Sequence, residues 1–173
     1  MTPDGCQQFY TDLGVNLEST LPLIVGYKMK SNQMGYITRQ EFMQTMSSLD
    51  VSTSDEFKKT LCHWEETVLN EPSEFKQLYL FTFQYVKSTT QKSMDVETAI
   101  ALWSILLEPK YPIIKSFIQF IQETKPVKVI NKDQWSSLLD FCKAVPQDLS
   151  TYDCTSSWPV LFDDFVEWKN KTL

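Results

Sequence analysis

Residues 54–69 read SDEFKKTLCHWEETVL. Phe57, Leu61, Trp64 and Val68 recur there at 4-3-4 spacing, which at 3.6 residues per turn stacks them into one apolar stripe and leaves the charges outside. The stretch is therefore expected to be an amphipathic helix, and helical spacing continues on both sides of it. Upstream, residues 17–29 carry Leu21, Ile24 and Val25 at mixed spacing, as in a mostly buried helix. Thr38-Arg-Gln-Glu41 forms a capping box ahead of Phe42, Met43, Met46 and Leu49. Downstream, Pro72 sits where a first-turn proline belongs. The helix after it, with Phe75, Leu78, Tyr79, Phe81, Phe83, Tyr85 and Val86, is apolar around most of its circumference and is expected to be central.

The rest of the chain repeats the pattern. Asp95 starts a helix with Ile100, Trp103, Leu106 and Leu107 facing in, and Pro109 and Pro112 separate it from a helix at 113–121. Asn131-Lys-Asp-Gln134 is a second capping box, leading into Trp135, Leu138, Leu139 and Cys142. Pro146 ends that helix, and Trp158-Pro159 opens the last one, with Leu161, Phe162, Phe165 and Trp168 inward. The four glycines (Gly5, Gly14, Gly26 and Gly35) all fall in the first 35 residues, which disfavours tight hairpins later on. Residues 127–130 are the one candidate strand. Eight or nine helices with short polar loops predict an all-α, compact helical bundle.

Two loops carry an EF-hand-like helix–loop–helix pattern without its ligands. In residues 30–41, Gly35 falls at loop position 6, Ile37 at 8 and Glu41 at 12, but positions 1, 3 and 5 hold Lys30, Asn32 and Met34. Calcium needs oxygen ligands at those three places, and a lysine there puts a cation where the metal would sit. A weaker echo spans 123–134, with Ile130 at position 8 and Lys125, Val127 and Gln134 at ligand positions. Both are expected to be degenerate units retained for shape, joined by a short pairing of Ile37 with Ile130. A calcium-responsive adaptor of EF-hand type is the alternative this pattern raises.

Composition narrows the function classes. With 173 residues, 42% hydrophobic and 13% aromatic, the chain can bury a core without metal or disulfides. Cys6, Cys62, Cys142 and Cys154 include no C-x-x-C pair and accompany a single histidine, so neither a zinc site nor a disulfide framework is expected. They read as buried or half-buried thiols in a reducing compartment. No apolar run has the length of a membrane span, MTPDGCQQF is not a secretory signal, and Thr2 stands where myristoylation needs glycine. The expected location is intracellular, in cytoplasm or nucleus or both. Between Asp140 and Glu167 lie six acids and one lysine, which supply −5 of the net −6. Such a face repels nucleic acid and anionic lipid and attracts basic surfaces.

No catalytic constellation is visible. His63 lies off the apolar stripe of its helix, and Cys62 beside it points about 100° away. Glu65-Glu66 falls on the outer face, and no phosphate-binding glycine loop, G-x-S-x-G or H-E-x-x-H occurs. A cysteine carrying a thioester is a further alternative, but the single histidine, His63, adjoins only Cys62 and points away from it, and Cys6, Cys142 and Cys154 have no histidine near them in sequence.

The C-terminal segment carries the most specific signal. It contains Lys132-Asp133-x-Trp135, Leu138-Leu139-Asp140-Phe141, Tyr152-Asp153 and the string Trp158-Pro159-Val160-Leu161-x-Asp163-Asp164-Phe165-Val166-Glu167. Upstream stand Gln7-Gln8-Phe9, Glu41-Phe42-Met43, Glu71-Pro72, Phe75-Lys76, Phe81-Thr82-Phe83 and Ala99-Ile100-Ala101-x-Trp103. Over nearly its whole length the chain resembles the potentiating-neddylation (PONY) domain of the defective-in-cullin-neddylation family.

The resemblance implies a single PONY domain over 1–173, with an EF-hand-like half at about 1–90 and a C-terminal half at about 91–173 bearing the cullin-binding face. It implies a non-catalytic ligase cofactor, with no metal and no cofactor. Such a protein holds a cullin C-terminal domain and the neddylation conjugating enzyme together, with the cullin-associated RING subunit as a further candidate partner, and uses neither nucleic acid nor membrane. The family's Asp-Ala-Asp patch for cullin falls on Asp133, Ser157 and Asp163, with serine where alanine is usual. Its apolar pocket for the N-acetylated methionine of the conjugating enzyme falls on Pro3, Cys6, Leu23, Gly26, Met29, Gly35, Ile37, Tyr85, Leu102 and Ile105.

Overall fold

The structure is a computed structural model that describes residues 1–87 and 89–172. Among them are nine helices: α1 (Pro3–Leu13), α2 (Leu21–Lys28), α3 (Arg39–Leu49), α4 (Ser54–Asn70), α5 (Pro72–Val86), α6 (Val96–Leu106), α7 (Ile113–Thr124), α8 (Lys132–Ala144) and α9 (Val160–Thr172). A two-stranded ribbon, β1 (Met94–Asp95) with β2 (Val129–Ile130), completes the regular structure. The chain divides into two compact units, Met1–Val86 and the part from Lys87 onward. Among the described residues no helix is long and apolar enough to cross a membrane.

In the first unit α2, α4 and α5 pack on one another. The stripe of α4 is buried as its spacing predicts, with Phe57, Leu61, Trp64 and Val68 all inward. Each such side chain contributes about 1.5–3 kcal/mol of burial. A Thr53–Glu56 capping box closes the N-terminus of α4, satisfying donors the helix cannot satisfy itself. The expected Thr38–Glu41 box is also present, in front of α3.

Two features of this unit depart from the sequence reading. The helix expected over 17–29 begins only at Leu21. Residues 17–20 form a turn, in which Asn16 Oδ1 accepts from the Glu18 N–H at 2.9 Å and the Asn16 carbonyl accepts from the Ser19 hydroxyl at 2.7 Å. Residues 3–13 form α1, which the sequence reading does not assign. Pro3 starts it and Gly14, in the left-handed region at φ 71°, ends it by donating to the Tyr10 and Thr11 carbonyls.

The second unit is built on aromatic contacts. Trp103 of α6 meets Phe117 of α7 at 5.5 Å and stacks on Trp135 of α8 at 5.9 Å between ring centroids. Phe117 in turn meets Phe162 and Phe165 of α9 at 5.8 and 5.2 Å. The ribbon is antiparallel, with Met94 opposite Ile130 and Asp95 opposite Val129. Asp95 then serves as N-cap of α6, accepting from the Thr98 hydroxyl at 2.7 Å and the Thr98 N–H at 2.8 Å, and these bonds hold its carboxyl below the usual carboxylate range.

The expected pairing of Ile37 with Ile130 is replaced by two local ones. Ile130 takes Met94 as its partner. The Ile37 N–H donates to the Met1 carbonyl at 3.3 Å and the Ile37 carbonyl accepts from the Met1 ammonium. Each buried isoleucine thus satisfies its backbone within its own unit. The thiols also divide: Cys6 and Cys142 are buried, but Cys62 and Cys154 are exposed. Cys62 sits on the charged face of α4 and Cys154 in the polar turn before α9, where nothing covers a side chain.

Candidate functional site

In the first unit, three chain segments converge on a small cavity. Cys6 and Tyr10 lie one turn apart on the buried face of α1. Tyr85 is the penultimate residue of α5, and its carbonyl accepts from the Met34 N–H at 3.0 Å, tying the loop after α2 to the end of α5. Gly35, at φ 82°, turns that loop past Pro3; a side chain is disfavoured in this conformation whatever space surrounds it. The cavity these segments enclose measures about 230 Å³ and is lined by Pro3, Cys6, Gln7, Tyr10, Leu17, Pro22, Met34, Gly35, Ile37 and Tyr85. None of them carries a charge at neutral pH. Burial raises the Cys6 thiol, pushes the Tyr85 phenol up to about 12, and moves the Tyr10 phenol higher still.

The expected pocket residues separate into three groups. Pro3, Cys6, Gly35, Ile37 and Tyr85 line the cavity. Leu23, Gly26 and Met29 are buried on α2 and at its C-cap, with Gly26 directly beneath the Tyr85 ring. Leu102 and Ile105 lie on α6 in the second unit, the first buried and the second half-buried. Five lining residues were not anticipated: Gln7, Tyr10, Leu17, Pro22 and Met34. Tyr10 follows from the one-turn spacing to Cys6 once α1 is known to be a helix. Leu17 and Met34 are exposed apolar side chains, a signal that only the structure supplies.

The loop at 30–41 shows what its terminal glutamate does. Glu41 Oε2 accepts from the Thr38 N–H at 2.7 Å, and Oε1 accepts from the Asn32 N–H and side-chain amide, both at 3.3 Å. The carboxylate is thereby engaged by the loop's own donors. Lys30 stands at the head of the loop in the left-handed region, at φ 53°. Among the described residues no group of three or more His, Cys, Asp or Glu side chains could hold a metal.

In the second unit, the loop before α9 and the start of α9 pack on Phe141 of α8. That ring meets Trp158 at 5.4 Å, Phe162 at 5.0 Å and Tyr152 at 6.2 Å. Ser157 precedes Trp158 and Asp163 follows Phe162, so both are fixed to α8 through their neighbours. The Tyr152 hydroxyl also donates to Asp163 Oδ1. Burial, then this bond to a carboxylate, raises the Tyr152 phenol well above the usual range. Asp163 is half-buried in the first turn of α9, while Ser157 is exposed.

Asp133 is exposed in the first turn of α8, where the helix dipole favours an acid. The Asn131–Gln134 capping box fixes that turn, with bonds of 2.8 and 3.0 Å. Eight residues separate Asp133 from Phe141, about 12 Å of helical rise. The trio therefore occupies the N-terminal turn of α8, the N-terminal turn of α9 and the loop that joins these helices. Asp148 and Asp153 lie in that loop and are held below the usual carboxylate range by hydrogen bonds from Ser150 and Thr155. His63, Cys62 and Glu66 are exposed on α4.

Comparison with known proteins identifies the family. Residues 56–168 match a family described as cullin binding, a span that contains Asp133, Ser157 and Asp163. The chain is 38% identical over 172 residues to DCN1-like protein 4 of Homo sapiens, covering 99% of this chain and 58% of that protein. It is 37% identical over 166 residues to DCN1-like protein 4 of Drosophila melanogaster, covering 96% of this chain and 66% of the relative. Against DCN1-like protein 5 of Homo sapiens the identity is 34% over 167 residues, with 96% and 70% covered. The chain thus spans about three-fifths to two-thirds of the length of the DCN1-like protein 4 relatives.

Proposed function

The chain belongs to the cullin-binding, or PONY-domain, family, and from that premise we propose that it is a scaffold-type, non-catalytic ligase cofactor of cullin neddylation. The observation that carries this reading is the fixed acidic surface of the second unit: Asp163 is held by the Tyr152 hydroxyl, and the loop bearing Ser157 is pinned on Phe141. An acidic surface with its loop already ordered loses little conformational freedom when a basic surface docks. In this reading Asp133, Ser157 and Asp163 contact the cullin C-terminal domain, and the neighbouring acids steer its approach.

The cavity of the first unit receives the N-acetylated methionine of the conjugating enzyme. Acetylation removes a terminal charge that an uncharged lining cannot solvate. Holding both partners, with the RING subunit beside them, raises the effective concentration of the reacting groups without chemistry by this chain. The site of action is the cytoplasm or nucleus. The EF-hand-type calcium adaptor is disfavoured by Lys30 at loop position 1 and by the engagement of Glu41 with its own loop.

The decisive experiment is capture of a cullin C-terminal domain by the chain and by an Asp133→Lys, Asp163→Lys variant. Capture is expected to disappear in the variant while its circular dichroism is preserved; undiminished capture removes the patch assignment.

A further inference from the structure

The cavity of the first unit contains two hydroxyl groups that the fold does not use. Tyr10 and Tyr85 are 6% and 3% exposed and both line the cavity. Neither hydroxyl has a hydrogen-bond partner among the described residues, and neither is sealed inside the protein, so both are free to meet an occupant of the cavity. Everything else on the wall is apolar, apart from the thiol of Cys6 and the amide of Gln7. Tyr85 reaches its position because residue 26 is glycine: a Cβ built there would stand 2.5 Å from the Tyr85 oxygen and 2.4 Å from Cζ.

We propose that the Tyr10 and Tyr85 hydroxyls read the occupant of this cavity, selecting an acyl-capped, uncharged chain end by donating hydrogen bonds to its carbonyl oxygens. The proposal rests on reading the cavity as the pocket for the N-acetylated methionine. It adds which side chains of this protein distinguish the capped end, and it gives Gly26 a role as the residue that seats one of them.

The chemistry favours one kind of end over the other. An acyl-capped residue offers two carbonyl acceptors and no charge, and each phenol has one hydrogen to give. Burial keeps both phenols protonated, and so able to donate, throughout the neutral range. A free amino terminus would bring an ammonium with three donors to a wall that has no carboxylate. Glu41, which acts on Tyr85 electrostatically, already has both oxygens engaged with Asn32 and Thr38. Discrimination therefore comes from satisfied acceptors on one side and an unsatisfied charge on the other.

The test is a calorimetric titration of the intact chain, and of a Tyr10→Phe, Tyr85→Phe variant, with two short methionine-led peptides that differ only in N-terminal acetylation. Phenylalanine keeps the ring and removes only the hydroxyl, so thermal stability should hold or rise. Affinity for the acetylated peptide should fall about tenfold or more, because two buried carbonyls lose their donors. These opposite movements separate a reading role from a structural one.

If the variant binds the acetylated peptide as tightly as the parent, the proposal is overturned and the pocket stands. If stability falls together with affinity, the hydroxyls are structural and the proposal is again overturned. If the parent itself fails to prefer the acetylated peptide, the pocket reading fails first.

Discussion

The ring of Tyr85 lies across the Cα of Gly26 so closely that a methyl group on Gly26 would stand 2.4 Å from Cζ. Glycine inside a helix ordinarily costs about 0.5–1 kcal/mol relative to alanine, so Gly26→Ala in α2 should stabilise if backbone entropy alone mattered. Here the ring is 3% exposed, and its Cζ, hydroxyl and Cε1 all stand within 2.7 Å of the added carbon, so the whole ring would have to shift into the cavity it lines. Overpacking should win, and Gly26→Ala is expected to destabilise by about 1–3 kcal/mol in urea denaturation. A stabilised Gly26→Ala variant would show that the ring moves freely.

The Tyr152–Asp163 hydrogen bond leads to a prediction about binding in which the fold is a bystander. Tyr152→Phe keeps the ring against Phe141 but frees the Asp163 carboxylate. Re-ordering one side chain on docking costs about 0.5–1.5 kcal/mol, so affinity for the cullin C-terminal domain should fall about three- to tenfold in calorimetry. Ser157→Ala removes an exposed hydroxyl from the same surface and should leave affinity unchanged or improve it. Equal affinity for Tyr152→Phe and the parent would show that the carboxylate is not held for binding.

Much of this was legible in the sequence, and the misses have physical causes. The stripe of α4 and the boxes at Thr38 and Asn131 are local signals, set by side chains within one or two turns, and they reappear in place. Helix α1 has little sequence signal because its buried set is sparse (Cys6, Tyr10 and Leu13), its first turn contains Gly5, and its cap is a glycine. Without that helix, nothing in the sequence places Tyr10 and Gln7 beside Cys6. Strand β1 is two residues long and ends in a helix cap, too short for any period to show. Ile37 and Ile130 hold matching places in two similar loops, but strand pairing is decided by which backbone edge is at hand, and for Ile130 that edge is Met94. The acidic face was visible as a charge count; its fixation by Phe141 and Tyr152 is tertiary, so the charges alone could not reveal it.

The raised acids fix the sign of the stability change at high pH. Cys142 is pushed from 9.0 to about 12 and Tyr85 from 10.0 to about 12, both mainly by burial, and Tyr10 and Tyr152 move the same way. In the unfolded chain these groups lose protons near their ordinary values; in the folded chain they keep them. The unfolded state therefore binds fewer protons above about pH 9, and stability must fall as pH rises. It is complete below the unfolded values and lost on the way to the folded ones. Urea midpoints should be level from about pH 7 to 8.5 and decline between about pH 9 and 12. Cys142→Ala should reduce, without abolishing, the earliest part of that decline, because the buried Cys6 thiol is raised from the same ordinary value of 9.0.

The loop at 30–41 allows a prediction that separates shape from metal binding. Glu41 closes the loop by accepting from Thr38 and Asn32, and the Thr38 hydroxyl returns a bond by accepting from the Glu41 N–H at 3.1 Å. Removing the carboxylate leaves these donors to water at the start of α3, a loss typical of a cap, about 0.5–2 kcal/mol. Glu41→Ala is therefore expected to lower the unfolding free energy obtained from urea denaturation by that amount, and Glu41→Gln, which keeps one acceptor oxygen, by less. Calcium should alter neither value, because a calcium ion would have to approach the Lys30 ammonium and strip the carboxylate from its loop donors. A calcium-dependent rise in melting temperature in the parent that is lost in Glu41→Gln would overturn this account and restore the loop as a metal site. The order Ala below Gln below parent, unchanged by millimolar calcium or by chelator, would establish Glu41 as a cap that holds the cavity's loop in place.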